Sequence, residues 1–92
     1  MGIYIVELSI NAKEDLKKIY KSGNTALIKK IEKIFLELSQ HPSWGTGKPE
    51  VLKESNGIWS RRLDKKNRLL YIIKETKVTV VVLSALGHYD DK

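Results

Sequence analysis

The sequence predicts an α+β domain: an N-terminal strand, two α-helices, and an antiparallel sheet of about four to five strands. Three observations carry that prediction. Helical periodicity is confined to the first half of the chain, β-branched runs dominate the second half, and a stretch rich in glycine and proline separates them. The length of 92 residues suits one domain, 1–92, with one small core.

Each element follows from its local pattern. Residues 3–8, IYIVEL, are short and β-branched and read as a strand. Asn11, paired with Glu14 in a capping-box-like spacing, is expected to open the first helix. Ala12, Leu16, Ile19 and Tyr20 form its apolar face, and Ser22-Gly23-Asn24 ends it. Leu27, Ile28, Ile31, Ile34, Phe35 and Leu38 then repeat at i, i+3, i+4, i+7 up to Pro42, which forbids continuation.

Residues 42–57 hold both prolines and three of the six glycines, so they read as loop with a short strand at Val51–Leu52. Three strands follow: Ile58–Leu63, Arg68–Lys74 and Lys77–Leu86. Their connections, DKKN and ET, are short enough for an antiparallel meander. A three-residue loop at Lys65–Asn67, with Asn67 left-handed, would set Asp64 opposite Arg68 and Arg62 opposite Leu70. Arg62 and Arg68 then share one face of the sheet while Arg61 points to the other, whereas a two-residue loop would pair Arg68 with Leu63 and put it with Arg61 instead.

Composition narrows the chemistry. Without cysteine there is no disulfide framework, thiolate metal site or cysteine nucleophile. The two histidines, His41 and His88, are far apart, and no acid or histidine cluster has ligand spacing, so no metal site is expected. The longest apolar stretch, Val78–Leu86, is far short of the ~20 residues that span a bilayer, and the first residues lack the form of a signal peptide. A cytoplasmic protein without membrane contact is expected. The net charge of +6 favours a polyanionic partner, and all three arginines fall between residues 61 and 68.

The second half also carries Glu50, His88 and Tyr89. A carboxylate, two guanidiniums, an imidazole and a phenol are the groups that cleave RNA without a metal, because the 2′-hydroxyl is a built-in nucleophile. Glu50 suits the base that takes its proton, Arg68 and Arg62 the donors to the phosphoryl oxygens, and His88 the acid for the leaving 5′-oxygen. Each also has an ordinary reading: a solvated loop carboxylate, arginines paired with an acid such as Asp64, a polar tail. Trp59 reads as core rather than as a platform for a base.

The segment Gly45–Tyr71, GTGKPEVLKESNGIWSRRLDKKNRLLY, followed by His88-Tyr89, resembles the Txe/YoeB toxins, a branch of the RelE superfamily in bacterial toxin–antitoxin systems. The resemblance implies an mRNA endoribonuclease that works on the ribosome, cuts the codon in the A site and needs no cofactor, on a fold like microbial ribonucleases. It assigns Glu50 of GKPE as general base, Arg68 of RLLY as stabiliser of the phosphorane and His88 as general acid. Arg62 and Tyr89 assist at the phosphate and base, and Lys48, Lys53 and Arg61 are the candidates for contacts with RNA backbone or ribosomal RNA. It further implies a cognate YefM/Phd-like antitoxin with an acidic tail, and related toxins that form homodimers. Asn67 stands where the family commonly has His, and Asp90 and Asp91 follow the terminal His-Tyr. The alternatives are a non-enzymatic toxin of the same superfamily that binds gyrase or the ribosome, and a generic basic RNA-binding domain.

Overall fold

The structure, a computed structural model, describes residues 3–87. His88, Tyr89, Asp90 and Asp91 lie outside the described residues. The elements run β1 (Ile5–Leu8), α1 (Ile10–Ser22), α2 (Thr25–Gln40), β2 (Glu50–Val51), β3 (Trp59–Arg62), β4 (Arg68–Lys74) and β5 (Thr79–Gly87).

The cap of the first helix lies two residues earlier than the sequence suggests. Its N-cap is Ser9, not Asn11: the Ser9 hydroxyl accepts from the Ala12 backbone N–H at 3.1 Å. Serine wins because its position lets an extended backbone (φ −71°, ψ 168°) turn directly into the helix. Gly23 closes α1 at φ +72°, the left-handed cap that glycine adopts without strain. Asn24 then caps α2 through a 3.1 Å bond from the Leu27 N–H. That helix ends at Gln40, because the residue before Pro42 is driven out of helical geometry.

The sheet has the order β1-β5-β4-β3-β2. Four strands pair antiparallel as expected, but β1 lies parallel to β5, with Ile5 opposite Thr79 and Leu8 opposite Val82, so the sheet is mixed. No hairpin ties β1 to its neighbour β5; both helices and strands β2 to β4 intervene, which frees its direction. Strand β2 starts at Glu50 rather than Val51, and the ET connection is a short 3-10 turn, Glu75–Lys77.

Both helices cover one face of the sheet. Ala12 and Ile19 of α1, with Ile31, Ile34 and Leu38 of α2, meet Leu63, Leu69, Tyr71, Val80, Val82 and Ala85 in one buried cluster. The alternating residues Ser60, Arg62, Arg68 and Leu70 therefore fall on the opposite, open face.

The hairpin register differs from the expected one by two residues. Arg62 stands directly opposite Arg68, and Ser60 opposite Leu70. Asp64 makes the longer loop: its carboxylate accepts from the Lys66 and Asn67 backbone N–H groups at 2.8 and 2.7 Å and from the Asn67 amide at 3.1 Å. Asn67 has no positive φ; the turn is held by a side chain instead of a left-handed residue. A shift of two preserves the faces, so Arg62 and Arg68 still share one side and Arg61 the other. Trp59 is half-buried, packs against the core and stacks on Tyr71 with centroids 6.3 Å apart.

Candidate active site

The open face gathers residues from four strands. Glu50 on β2 lies opposite Ser60 on β3, Arg62 opposite Arg68 on β4, and Arg68 opposite Gly87 on β5. Glu50 Oε2 and Arg68 Nη1 are 3.7 Å apart, and the same nitrogen reaches Ser60 Oγ at 3.5 Å. The Glu50 side chain is 60% exposed and that of Arg68 28%, so the pair is a solvent-reaching one worth little as a stabilising ion pair. Such a contact opens easily to a ligand. Arg62 is exposed beside it, which places two cations and one carboxylate on a single accessible patch.

Opposed cations repel, and no core interaction requires Arg62 and Arg68 to face each other. An anion placed between them would be held by both. Lys48 and Lys53 stand exposed on either side of β2, Lys48 at φ +51° just before Pro49 and Glu50. Gly87 is the last described residue and lies across from Arg68, so the chain leaves the sheet beside the arginines toward His88 and Tyr89, whose positions fall outside the described residues.

Arg61 corrects the expectation drawn for it. It is fully buried on the helix face, with no surface to offer RNA. Its guanidinium makes five hydrogen bonds: Nε to the Tyr71 hydroxyl at 3.1 Å, Nη1 to Glu37 Oε1 at 2.5 Å and Thr46 O at 3.2 Å, and Nη2 to His41 O and Trp44 O at 3.2 and 3.0 Å. All five donors of an arginine are thereby satisfied. Burial would raise the Glu37 carboxyl, but bonds from the Thr46 N–H and hydroxyl, both 2.8 Å, and from Arg61 outweigh it and hold its pKa below the ordinary value. Burial likewise pushes the Tyr71 phenol up, the nearby Arg61 opposing it, and that hydroxyl donates to Pro42 O at 2.6 Å.

This buried network shapes the loop that leads into β2. Gly47 sits at φ +87° and accepts from the Arg62 N–H at 2.7 Å; a Cβ there would stand 2.8 Å from the Arg62 carbonyl. Glycine is required for that approach. The sequence assigns no role to Glu37, Thr46, Ser60 or Tyr71, although the last three lie within the segment that carries the family resemblance. The alternation of β3 was the available clue, since it sends Arg61 toward the core and Arg62 away from it.

Among the described residues, no group of three or more His, Asp or Glu could hold a metal ion, and no helix is long and apolar enough to cross a membrane.

Residues 9–89 match the family model for the YoeB-like toxin of bacterial type II toxin–antitoxin systems. Toxin YoeB of Streptomyces coelicolor is 40% identical over 71 residues, which cover 76% of this chain and 82% of that protein. The YoeB dimer of Staphylococcus aureus superimposes with a TM-score of 0.78 at 28% identity, covering 96% of this chain and all of that one. A YoeB chain in the YoeB–YefM complex of the same organism does so with a TM-score of 0.72 at 31% identity, covering 94% and 98%. Together with two helices packed on a five-stranded sheet, these matches place the chain among the toxins of the RelE superfamily. Within it, the chain belongs to the YoeB-like toxins of type II toxin–antitoxin systems.

Proposed function

We propose that this toxin is a ribosome-dependent mRNA endoribonuclease that cuts codons in the A site and so stops translation. The observation that carries the reading is the cluster of Glu50, Arg68 and Arg62 on one open face, beside the strand that leads to His88. Glu50 takes the proton of the RNA 2′-hydroxyl, whose oxygen attacks the adjacent phosphorus. The phosphoryl group gains a second negative charge in the transition state, and Arg68 and Arg62 are the donors that meet it. His88 gives its proton to the 5′-oxygen as the P–O bond breaks, and Tyr89 assists at the phosphate and base. Lys48 and Lys53 contact the RNA backbone. The chemistry draws on no cofactor.

The partner is a YefM/Phd-like antitoxin whose acidic segment covers the basic open face, a reading supported by the staphylococcal relative seen in complex with YefM. A homodimer is the companion state, as for the staphylococcal YoeB dimer. The protein acts in the cytoplasm, where its ribosomal target is.

Mapping of mRNA 5′ ends after induction tests the proposal. Wild-type protein leaves new ends within A-site codons, and Glu50→Ala and His88→Ala each remove them while circular dichroism shows an intact fold. Rate losses of about 10²–10⁴-fold are expected for a lost base or acid. Growth arrest with uncut mRNA would overturn the nuclease reading in favour of a toxin that only binds.

A further inference from the structure

Strand β5 does not run evenly along β4. From Tyr71 to Arg68 strand β4 advances three positions, while its partner advances five, from Val82 to Gly87. Two extra residues are therefore accommodated in β5, one between the Tyr71 and Leu70 pairs and one between the Leu70 and Arg68 pairs. Each extra residue leaves backbone groups without a ladder partner, and buried backbone groups must be satisfied.

The first turns of α1 supply those partners. The Ser9 hydroxyl donates to Leu83 O at 2.8 Å. Asp15 Oδ2 accepts three bonds: from Ser84 Oγ at 2.9 Å, from the Ala85 N–H at 3.0 Å and from the Leu86 N–H at 3.1 Å. One carboxylate thus binds three consecutive residues of the irregular stretch. A carboxylate suits the task because it is acceptor-only and takes several donors at once.

The register matters for the site. Continued evenly from Tyr71–Val82, the ladder would place Ala85 opposite Arg68; the two extra residues place Gly87 there, next in sequence to His88. At Gly87 an added Cβ would lie 2.8 Å from Leu70 Cδ1, so a side chain there would have to displace that of Leu70.

We propose that Asp15, on the helix layer and outside the open-face cluster, is a positioning residue of the active site: it locks the irregular stretch of β5 and so sets the point at which the chain bearing His88 leaves the sheet. The role of His88 rests on the nuclease reading; the register role of Asp15 does not.

The experiment compares wild type, Asp15→Ala and Asp15→Asn by amide hydrogen exchange, cross-strand NOEs and ribosome-dependent cleavage. In Asp15→Ala the Ala85 and Leu86 amides lose protection and the Arg68–Gly87 NOEs disappear, while the Tyr71–Val82 and Val6–Val80 pairings persist. Cleavage falls about 10²-fold in kcat with KM unchanged, the loss expected from a catalytic group displaced by about 1 Å. Asp15→Asn keeps one acceptor oxygen and falls between the two in protection and rate; it carries the test if Asp15→Ala does not fold. Unchanged protection at Ala85 and Leu86, or a rate loss with the Arg68–Gly87 pairing intact, would overturn the proposal. A wild type that cuts no mRNA would instead remove the nuclease reading and leave the exchange data to decide the role of Asp15.

Discussion

Arg61 and Arg62 are neighbours in sequence and opposites in environment. Arg61 is buried among five acceptors on the helix face, whereas Arg62 is exposed on the open face, opposite Arg68. The same guanidinium is thus a structural member on one side of a strand and a ligand-ready cation on the other. The difference teaches that in a β-strand a one-residue step changes the role of a charge completely, because successive side chains point to opposite faces.

The largest effect expected from breaking this comparison is on stability. Arg61→Ala leaves Glu37, the Tyr71 hydroxyl and three carbonyls without their donor, and should cost about 3–5 kcal/mol in chemical denaturation. Arg62→Ala should stay within about 0.5 kcal/mol of wild type, as surface substitutions do. In cleavage the order reverses: folded Arg62→Ala loses a donor to the developing charge and about 10²-fold in rate. Equal destabilisation by the two substitutions would contradict the division of roles.

A smaller effect sharpens it. Tyr71→Phe removes the bond to Pro42 O and the acceptor of Arg61 Nε, and should cost about 1–3 kcal/mol in thermal or chemical unfolding. The loop over residues 42–49 should show faster amide exchange in the same variant, since its carbonyls lean on this network.

The mildest effect is in the pH dependence. The Glu37 carboxyl titrates lower in the folded protein than an ordinary glutamate does. Its contribution is complete above the unfolded value and is lost as pH falls through the folded one. Stability should therefore decline below about pH 4.5, and Glu37→Gln should flatten that decline in acid titrations monitored by circular dichroism.

Much of the fold was legible from pattern. Strand β4 is the predicted Arg68–Lys74, and α2 ends where Pro42 forces it to. The shared face of Arg62 and Arg68 followed from the longer of two possible loops, since an error of two in register leaves parity intact, whereas the two-residue loop would have put Arg68 with Arg61. Asn11 as a cap was not, because Ser9 two residues earlier competes for the same task and only the path of the backbone decides. The parallel pairing of β1 was hidden because edge partners depend on where the whole intervening chain, both helices and strands β2 to β4, returns. For Arg61, the partners that bury it come from α2, the following loop and β4, all distant in sequence.

By itself, then, the sequence determined the element types, the boundaries marked by Gly23 and Pro42, the sorting of residues onto sheet faces, and the motifs that carry the toxin resemblance. These depend on local propensity and on periodicities of 3.6 and 2, which a chain carries wherever it folds. Only the tertiary structure decided which arginine is structural, how far β5 slips past β4, and that Asp15 of α1 meets three donors of β5. Those outcomes depend on long-range hydrogen bonds, which form only after packing brings donors and acceptors together and leave no mark on neighbouring residues.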